Sequence, residues 1–540
     1  MSGGNKREKD SFLPSKQETL KKRYRKGKAG AALLVFPVLL TACGGGQQAQ
    51  QTGKSVQTAV DQTPLNISIM TITPSAPPAA DDNVIKRAIE KATNSKLNIQ
   101  WVSNNIYKDK LNLTLASGQI PDLTFISDPF SSSFRSLVTQ GVFWDISPYI
   151  KDYPNLQKGI PSIAWELTKL DDGKNYGIPR ARDENDESFF IVRKDWLDKL
   201  GLKPPTTTDE LYQVMKAFVE KDPDGNGKND TVALAASITP DDASNWGGIG
   251  PVLGTIESAF TGVNGKWKLD GDKLVYTALL PEVRNALEYN ARAYKEKLLP
   301  EDLLSLKTTQ IRDLFKGNKA GIVVDKTGTG NRVYTTDLRK LVPDFKDTQF
   351  FPLTSLNGYT PKGTGFNGIL AIPKSVPEAK MKRILQLVDQ WTSPEVSGIQ
   401  RFGFEGVHYK LENGLKIVNP DKLNADNASD FNQIVNSIDP SLDQIPATED
   451  LKAADEQKKK VQAERSKISK ADISVGLNSP TAQKISPQLD KKIQDLKSKI
   501  IIGREPITAW DDFVAKLKTD PDLIKMTEEM TQAYHKREGK

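Results

Sequence analysis

At 540 residues, with 26% charged and 37% hydrophobic side chains, the chain is long enough for about two domains with sizeable cores. Its formal charge of +7 comes from the first 28 residues, which carry ten basic side chains between Lys6 and Lys28 against Glu8, Asp10 and Glu18. The remainder holds 65 basic and 65 acidic side chains, so it lacks the cationic footprint that phosphate-backbone binding needs, and no nucleic-acid partner is expected.

The basic stretch runs into an uncharged apolar segment over 31–40, about ten residues long. A bilayer-spanning helix needs about twenty, so the segment reads as the h-region of a signal peptide over 1–42. Leu40-Thr41-Ala42-Cys43 resembles the lipobox of bacterial lipoproteins. The resemblance implies cleavage before Cys43, acylation of its sulfur (palmitate or a similar chain), and anchoring on the outer face of the cell membrane. Cys43 is the chain's one cysteine, which suits an exported protein free of stray disulfides.

Residues 43–62 are poor in apolar side chains and read as a flexible tether. Alternation of apolar and polar residues over 65–70 predicts the first strand. A helix follows over 84–92, then a strand over 97–102, a helix over 107–116 and a strand over 123–126. This βαβαβ rhythm predicts an α/β lobe with a mainly parallel sheet. Further strands are expected over 189–192, 321–324 and 368–372. Helices are expected over 208–219, with Thr206 to Thr208 as candidate caps, and over 380–391. Residues 449–500, rich in Lys, Glu, Asp and Gln, read as solvated helices with loops.

Arg193-Lys194-Asp195-Trp196-Leu197, continuing to Gly201-Leu202 and Pro205-Thr206-Thr207-Thr208-Asp209-Glu210-Leu211, resembles the family 1 extracellular solute-binding lipoproteins, including the alginate-oligosaccharide binders. Further matches are Gly118-Gln119-Ile120-Pro121-Asp122, Tyr176-Gly177-Ile178-Pro179-Arg180, Phe404-Glu405-Gly406-Val407-His408-Tyr409 and Ile502-Gly503-Arg504-Glu505-Pro506. They are scattered from about residue 65 to 515, in order. The resemblance implies a periplasmic-binding-protein-like α/β fold of two lobes, joined by a hinge and closing on a ligand between them. It implies an oligosaccharide ligand, the permease subunits of an ABC transporter as partners, and a monomer without enzymatic activity. The lobes are expected at 63–180 with 366–405, and at 181–365 with 406–540.

Asp222-Pro223-Asp224-Gly225-Asn226-Gly227-Lys228-Asn229-Asp230 has oxygen-bearing side chains at positions 1, 3, 5 and 9 of a loop and glycine at position 6. Lys228 could add its backbone carbonyl, as in the EF-hand arrangement around Ca²⁺. Position 12 is Ala233 where the bidentate Glu would stand. Alginate-binding members of the family use such a loop, ending in Asp-Glu, for calcium; here Thr231 follows Asp230. A structural calcium site and a bare polar turn both fit this composition.

Sugars are held by aromatic faces and planar hydrogen-bonding groups. Trp165, Tyr176, Arg180, Trp246, Tyr334, His408 and Tyr409 are the candidate ligand contacts, with Arg180 near the expected hinge crossing and Trp246 in a Gly-rich loop foremost. A structural histidine is the alternative for His408. Two rival readings are a secreted glycoside hydrolase, which needs a spaced pair of carboxylates, and a binding protein for a non-sugar solute such as a peptide, because fold does not fix ligand.

Overall fold

A computed structural model describes residues 63–75, 77–238, 249–446 and 448–539. The expected signal peptide, Cys43, the tether and Trp246 lie outside the described residues. The strands, in chain order, are β1 (Leu65–Thr73), β2 (Ser95–Ser103), β3 (Leu123–Ile126), β4 (Ile178–Ala181), β5 (Phe189–Arg193), β6 (Val232–Leu234), β7 (Trp267–Asp270), β8 (Lys273–Tyr276), β9 (Ala320–Asp325), β10 (Phe350–Pro352), β11 (Phe366–Ala371), β12 (Tyr409–Glu412) and β13 (Leu415–Val418).

Two sheets define two lobes. The first has the order β2-β1-β3-β11-β4. β1 runs parallel to β2 and β3, and β11 antiparallel to β3 and β4. In β1, Leu65, Ile67 and Ile69 are buried while Asn66 is exposed, the period-2 pattern of a strand with one wetter face. The helix Val84–Ala92 joins β1 to β2, and the Asn83 side-chain oxygen caps it by accepting from the Ile85 and Lys86 amides at 2.8 and 3.1 Å. The second sheet has the order β10-β5-β9-β6. Only β6 and β9 are parallel; β5 pairs antiparallel with β9 and β10. Its helix Thr208–Glu220 opens on Thr207 with a full capping box to Glu210.

The expected division at 406 is corrected. Leu423, Ala428, Phe431, Ile434 and Val435 pack in the same core as Ile67, Phe125 and Ile369, so lobe one keeps the chain to about 435. The chain therefore crosses at 182–188, at 360–365 and again after 435. The helix Glu449–Ile468 then docks on lobe two, where the Arg465 guanidinium donates to the Leu353 carbonyl at 3.1 and 2.6 Å. The reading of 449–500 as solvated helices also needs correction. On the helix Pro480–Ile501, Leu489, Ile493, Ile500 and Ile501 enter the core of lobe two. Their spacing is helical, but the dense lysines around them hid the apolar stripe.

Candidate ligand cleft between the lobes

The strand directions decide where a site can form. β1 and β3 end at the side of lobe one from which β4 leaves and to which β11 returns, because Phe366 pairs with Ala181 and Ile369 with Ile126. In lobe two, Asp325 at the end of β9 pairs with Phe189 at the start of β5, so β9 and β6 also end at the crossings. Both lobes thus turn the carboxyl ends of their parallel strands toward the same crossing segments. Open α/β sheets bind ligands at such ends.

On lobe one, the loop after β1 is held by Asp430, which is fully buried. Its carboxylate accepts from Thr73 Oγ1 at 3.2 Å, Ser75 Oγ at 2.6 Å and the Ala79 amide at 3.0 Å. Thr71 Oγ1 donates to the Gln433 carbonyl at 2.6 Å, and Trp101 meets Phe431 edge-on with centroids 5.8 Å apart. Gln400, buried beneath, donates to Asn432 Oδ1 and the Val435 carbonyl, each at 2.8 Å. On lobe two, Asp186 accepts from the Thr327 amide at 2.9 Å and also bonds the Thr327 hydroxyl. Gln462 donates to that hydroxyl at 3.2 Å. Burial, with Asp186 close by, pushes the carboxyl of Asp183 in the first crossing up. A cavity of about 360 Å³ opens between the lobes, lined by Ser429 and Asn432 of lobe one, Thr327 and Gly328 of lobe two, and Gln457 and Lys458 of the connecting helix. These polar side chains share the lining with apolar ones such as Phe350, Leu442 and Ile445.

The sequence-predicted contacts do not gather there. Arg180 is 2% exposed and is consumed within lobe one. Its Nε and Nη2 donate to the Asn367 carbonyl and Oδ1 at 3.0 and 2.8 Å, and Nη1 donates to the Gln433 carbonyl and Oε1 at 3.1 and 3.0 Å. The guanidinium lies 3.9 Å from the Phe125 ring centroid. Its place as a ligand contact is corrected to that of a strut behind the cleft. Tyr334 is likewise corrected. It is buried in a small core with Ile191, Phe315 and Phe350, donates to Asp325 Oδ2 at 2.7 Å, and has its hydroxyl pKa pushed up by burial. His408 takes the structural alternative: it is buried, Nδ1 accepts from the Phe404 amide at 3.0 Å, and Nε2 faces Asp426 Oδ2 at 2.8 Å. Tyr176 is half-buried and donates to Asp172 Oδ2 at 2.6 Å. Tyr409 starts the β12–β13 hairpin, with the Lys416 ammonium 5.3 Å from its ring. Trp165, half-buried on the helix Ser162–Leu167, has a buried indole N–H with no partner among the described residues.

Sequence reading missed Asn432, Asp430 and Thr327. One signal was available: Thr327-Gly328-Thr329-Gly330 directly follows the buried strand around 321–324, at the end where strands feed sites. Asp430 and Asn432 carried no local signal.

The Asp222–Asp230 loop sits at the amino end of β6, opposite the cleft. Asp222 Oδ2 accepts from the Gly227 amide at 2.9 Å and Oδ1 from the Gly225 and Asn226 amides at 3.1 and 3.2 Å. Gly227, at the sixth position, has φ 75°, the left-handed turn that favours glycine. The Asn226 amide nitrogen donates to Asp224 Oδ2 and Asp230 Oδ1, at 2.7 and 3.0 Å. Two features subtract donors: Lys319 pairs with Asp230 at 2.5 Å, and the Thr231 hydroxyl is spent on the Phe218 carbonyl at 2.8 Å. Burial and the neighbouring Asp222 raise the Asp224 carboxyl, and its hydrogen bond with Asp224 lowers that of Asp222. Among the described residues, no group of three or more His, Cys, Asp or Glu side chains could hold a metal ion.

Two α/β lobes, three crossings and a cavity lined from both sides define a two-lobed solute-binding protein. The chain belongs to the bacterial extracellular solute-binding protein family, whose model matches residues 73–396. It is 35% identical over 384 residues to the polygalacturonan/rhamnogalacturonan-binding protein YtcQ of Bacillus subtilis, covering 70% of this chain and 72% of that one. It is 29% identical over 507 residues to the lipoprotein LipO of the same organism, covering 91% and 95%. An EF-hand mutant of the Streptococcus pneumoniae ABC-transporter substrate-binding protein FusA, in complex with fructo-nystose, shares the fold at a TM-score of 0.63 and 17% identity, over 88% of this chain and 100% of that one. The family and the relatives YtcQ and FusA are binding proteins, and the chain is one of that family, not an enzyme.

Proposed function

We propose that the chain is anchored through lipidated Cys43 on the outer face of the membrane, binds an oligosaccharide between its lobes, and passes it to the permease of an ABC importer. The observation that carries this reading is the cavity lined by Asn432 and Ser429 from one lobe and Thr327 and Gly328 from the other. A ligand touching both lobes favours the closed arrangement by its differential affinity. The polygalacturonan and rhamnogalacturonan binding of the Bacillus subtilis relative makes galacturonate oligosaccharides the first ligands to try. Thermal-shift titration against oligogalacturonides, fructo-oligosaccharides, alginate oligosaccharides and peptides tests it, since a ligand of the folded state raises the midpoint. A peptide that stabilises the protein where every sugar fails would overturn the sugar reading.

No helix among the described residues is long and apolar enough to cross a membrane; the anchor in this reading is lipidated Cys43. Cys43→Ala is expected to release the protein from the membrane fraction with its melting curve unchanged. A variant that still sediments with membranes after its signal peptide is removed would refute the anchor.

The Asp222–Asp230 loop is read as a calcium site of structural role, held by Asp222, Asp224, Asn226, Asp230 and the Lys228 carbonyl. Calcium supplies charge neutralisation for the three carboxylates. Without the terminal Glu, affinity belongs at the weak end, about 10⁻⁴–10⁻³ M. Millimolar Ca²⁺ is expected to raise the midpoint, a chelator to reverse this, and Asp222→Ala with Asp224→Ala to abolish the response. Superimposable curves in calcium and chelator would reduce the loop to a turn braced by Lys319.

A further inference from the structure

Lobe two touches lobe one a second time, through a strap that no crossing requires. Residues 472–478 belong to lobe two: Ile473 and Leu477 pack on its core, and Arg537 of the last helix donates to the Ile473 and Val475 carbonyls at 2.6 and 3.0 Å. The strap's tip lies on lobe one. There Arg135, on the helix Ser132–Thr139, sends three donors to three acceptors. Its Nε reaches the Phe130 carbonyl at 3.1 Å, Nη1 reaches Asp171 Oδ1 at 3.0 Å, and Nη2 reaches the Gly476 carbonyl of the strap at 3.2 Å. The other Asp171 oxygen accepts from Asn478 of the strap.

The approach at Gly476 is close and needs glycine. Its φ is +79°, and a Cβ there would stand 3.0 Å from the Leu167 carbonyl and 3.6 Å from the Phe130 ring. Phe130 follows the end of β3 and meets Phe366, at the start of β11, edge-on at 6.4 Å. The strap therefore seats where the strand ends of lobe one face lobe two.

We infer that Arg135 and Asp171 form a latch for this strap, holding the two lobes together before any ligand arrives. The inference rests on the reading that the lobes close on a ligand, and it adds a term to that closure that the ligand does not supply. Bonds made only when the strap is seated bias the closed arrangement. If they are removed, the closed fraction falls and the apparent affinity falls with it. Loss of one charge-assisted bond corresponds to about a tenfold change.

The test uses the full chain carrying Cys43→Ala. Asn478→Ala and Asp171→Ala are each expected to increase the ligand-free radius of gyration in small-angle scattering. Asp171→Cys with Asn478→Cys is expected to crosslink under mild oxidation without ligand, giving a more compact particle that reductant reopens. Asn478→Ala should retain the wild-type melting midpoint within a few degrees, which separates an opened latch from a damaged lobe. An unchanged radius of gyration in both alanine variants overturns the latch, as does failure of the cysteine pair to crosslink. These readouts need no ligand, so a failure of oligogalacturonides to bind wild-type protein would count against the proposed function and leave the latch standing or falling on its own.

Discussion

Lys497→Met is expected to destabilise the folded protein by about 3–5 kcal/mol, because it strands a buried carboxylate. Lys497 on the helix Pro480–Ile501 places Nζ 2.6 and 2.8 Å from the two Glu257 oxygens, with side-chain exposures of 1% and 7%. Burial pushes the lysine pKa down and the glutamate pKa up, each toward its neutral form, and mutual attraction keeps the pair. A glutamate whose folded pKa is raised holds a proton that the unfolded chain releases. Its contribution to stability is present below the unfolded value, about 4.3, and is lost as pH rises through the folded value. The variant's deficit should accordingly be smaller near pH 4 than near pH 7. Urea denaturation at both pH values measures this. Lys497→Met with Glu257→Leu should recover most of the loss, since replacing a whole buried pair by apolar side chains is often neutral. A single variant as stable as wild type at pH 7 would mean that water reaches the pair.

Arg180→Lys is expected to cost about 2–4 kcal/mol, because one ammonium cannot replace a fork that reaches Asn367 and Gln433 together. These contacts fasten β4 to β11 and to the segment that carries Asn432. Ligand binding should weaken as a consequence, since the Asn432 side of the cavity loses its brace. The measurement that decides is the denaturation midpoint without ligand. If it is unchanged while binding falls, Arg180 touches the ligand and its assignment as a strut is wrong.

The parts of this fold that sequence reading found are those where period and boundary chemistry agree. The helices at 84–92 and 208–220 start at side-chain caps, and β3 at 123–126 is an apolar run between turns. The parts it missed depend on partners far along the chain. Nothing near Leu423 or Val435 indicates that they pack beside Ile67, and nothing near Lys497 announces Glu257 across the core. The site follows the same rule. Tyr334 and His408 looked like ligand contacts because aromatic and imidazole groups serve that purpose, but Asp325 and Asp426 supply the partners that make each a core group. Asn432 is an ordinary residue locally, and it lines one cavity with Thr327 only because the two lobes bring them together.

The interleaving of the lobes has a consequence for how the chain acquires its structure. β3 waits for β11 before its sheet is complete, and the core of lobe one waits for Phe431 and Ile434. Lobe two waits longer, for Ile493, Trp510 and Met526. During synthesis neither lobe can close its core until most of the chain exists, and these late, distant pairings are the slow kind. A chain built this way is expected to complete neither core until late in its synthesis. Lobe two is expected to complete its core last, when the helices that carry Ile493, Trp510 and Met526 dock.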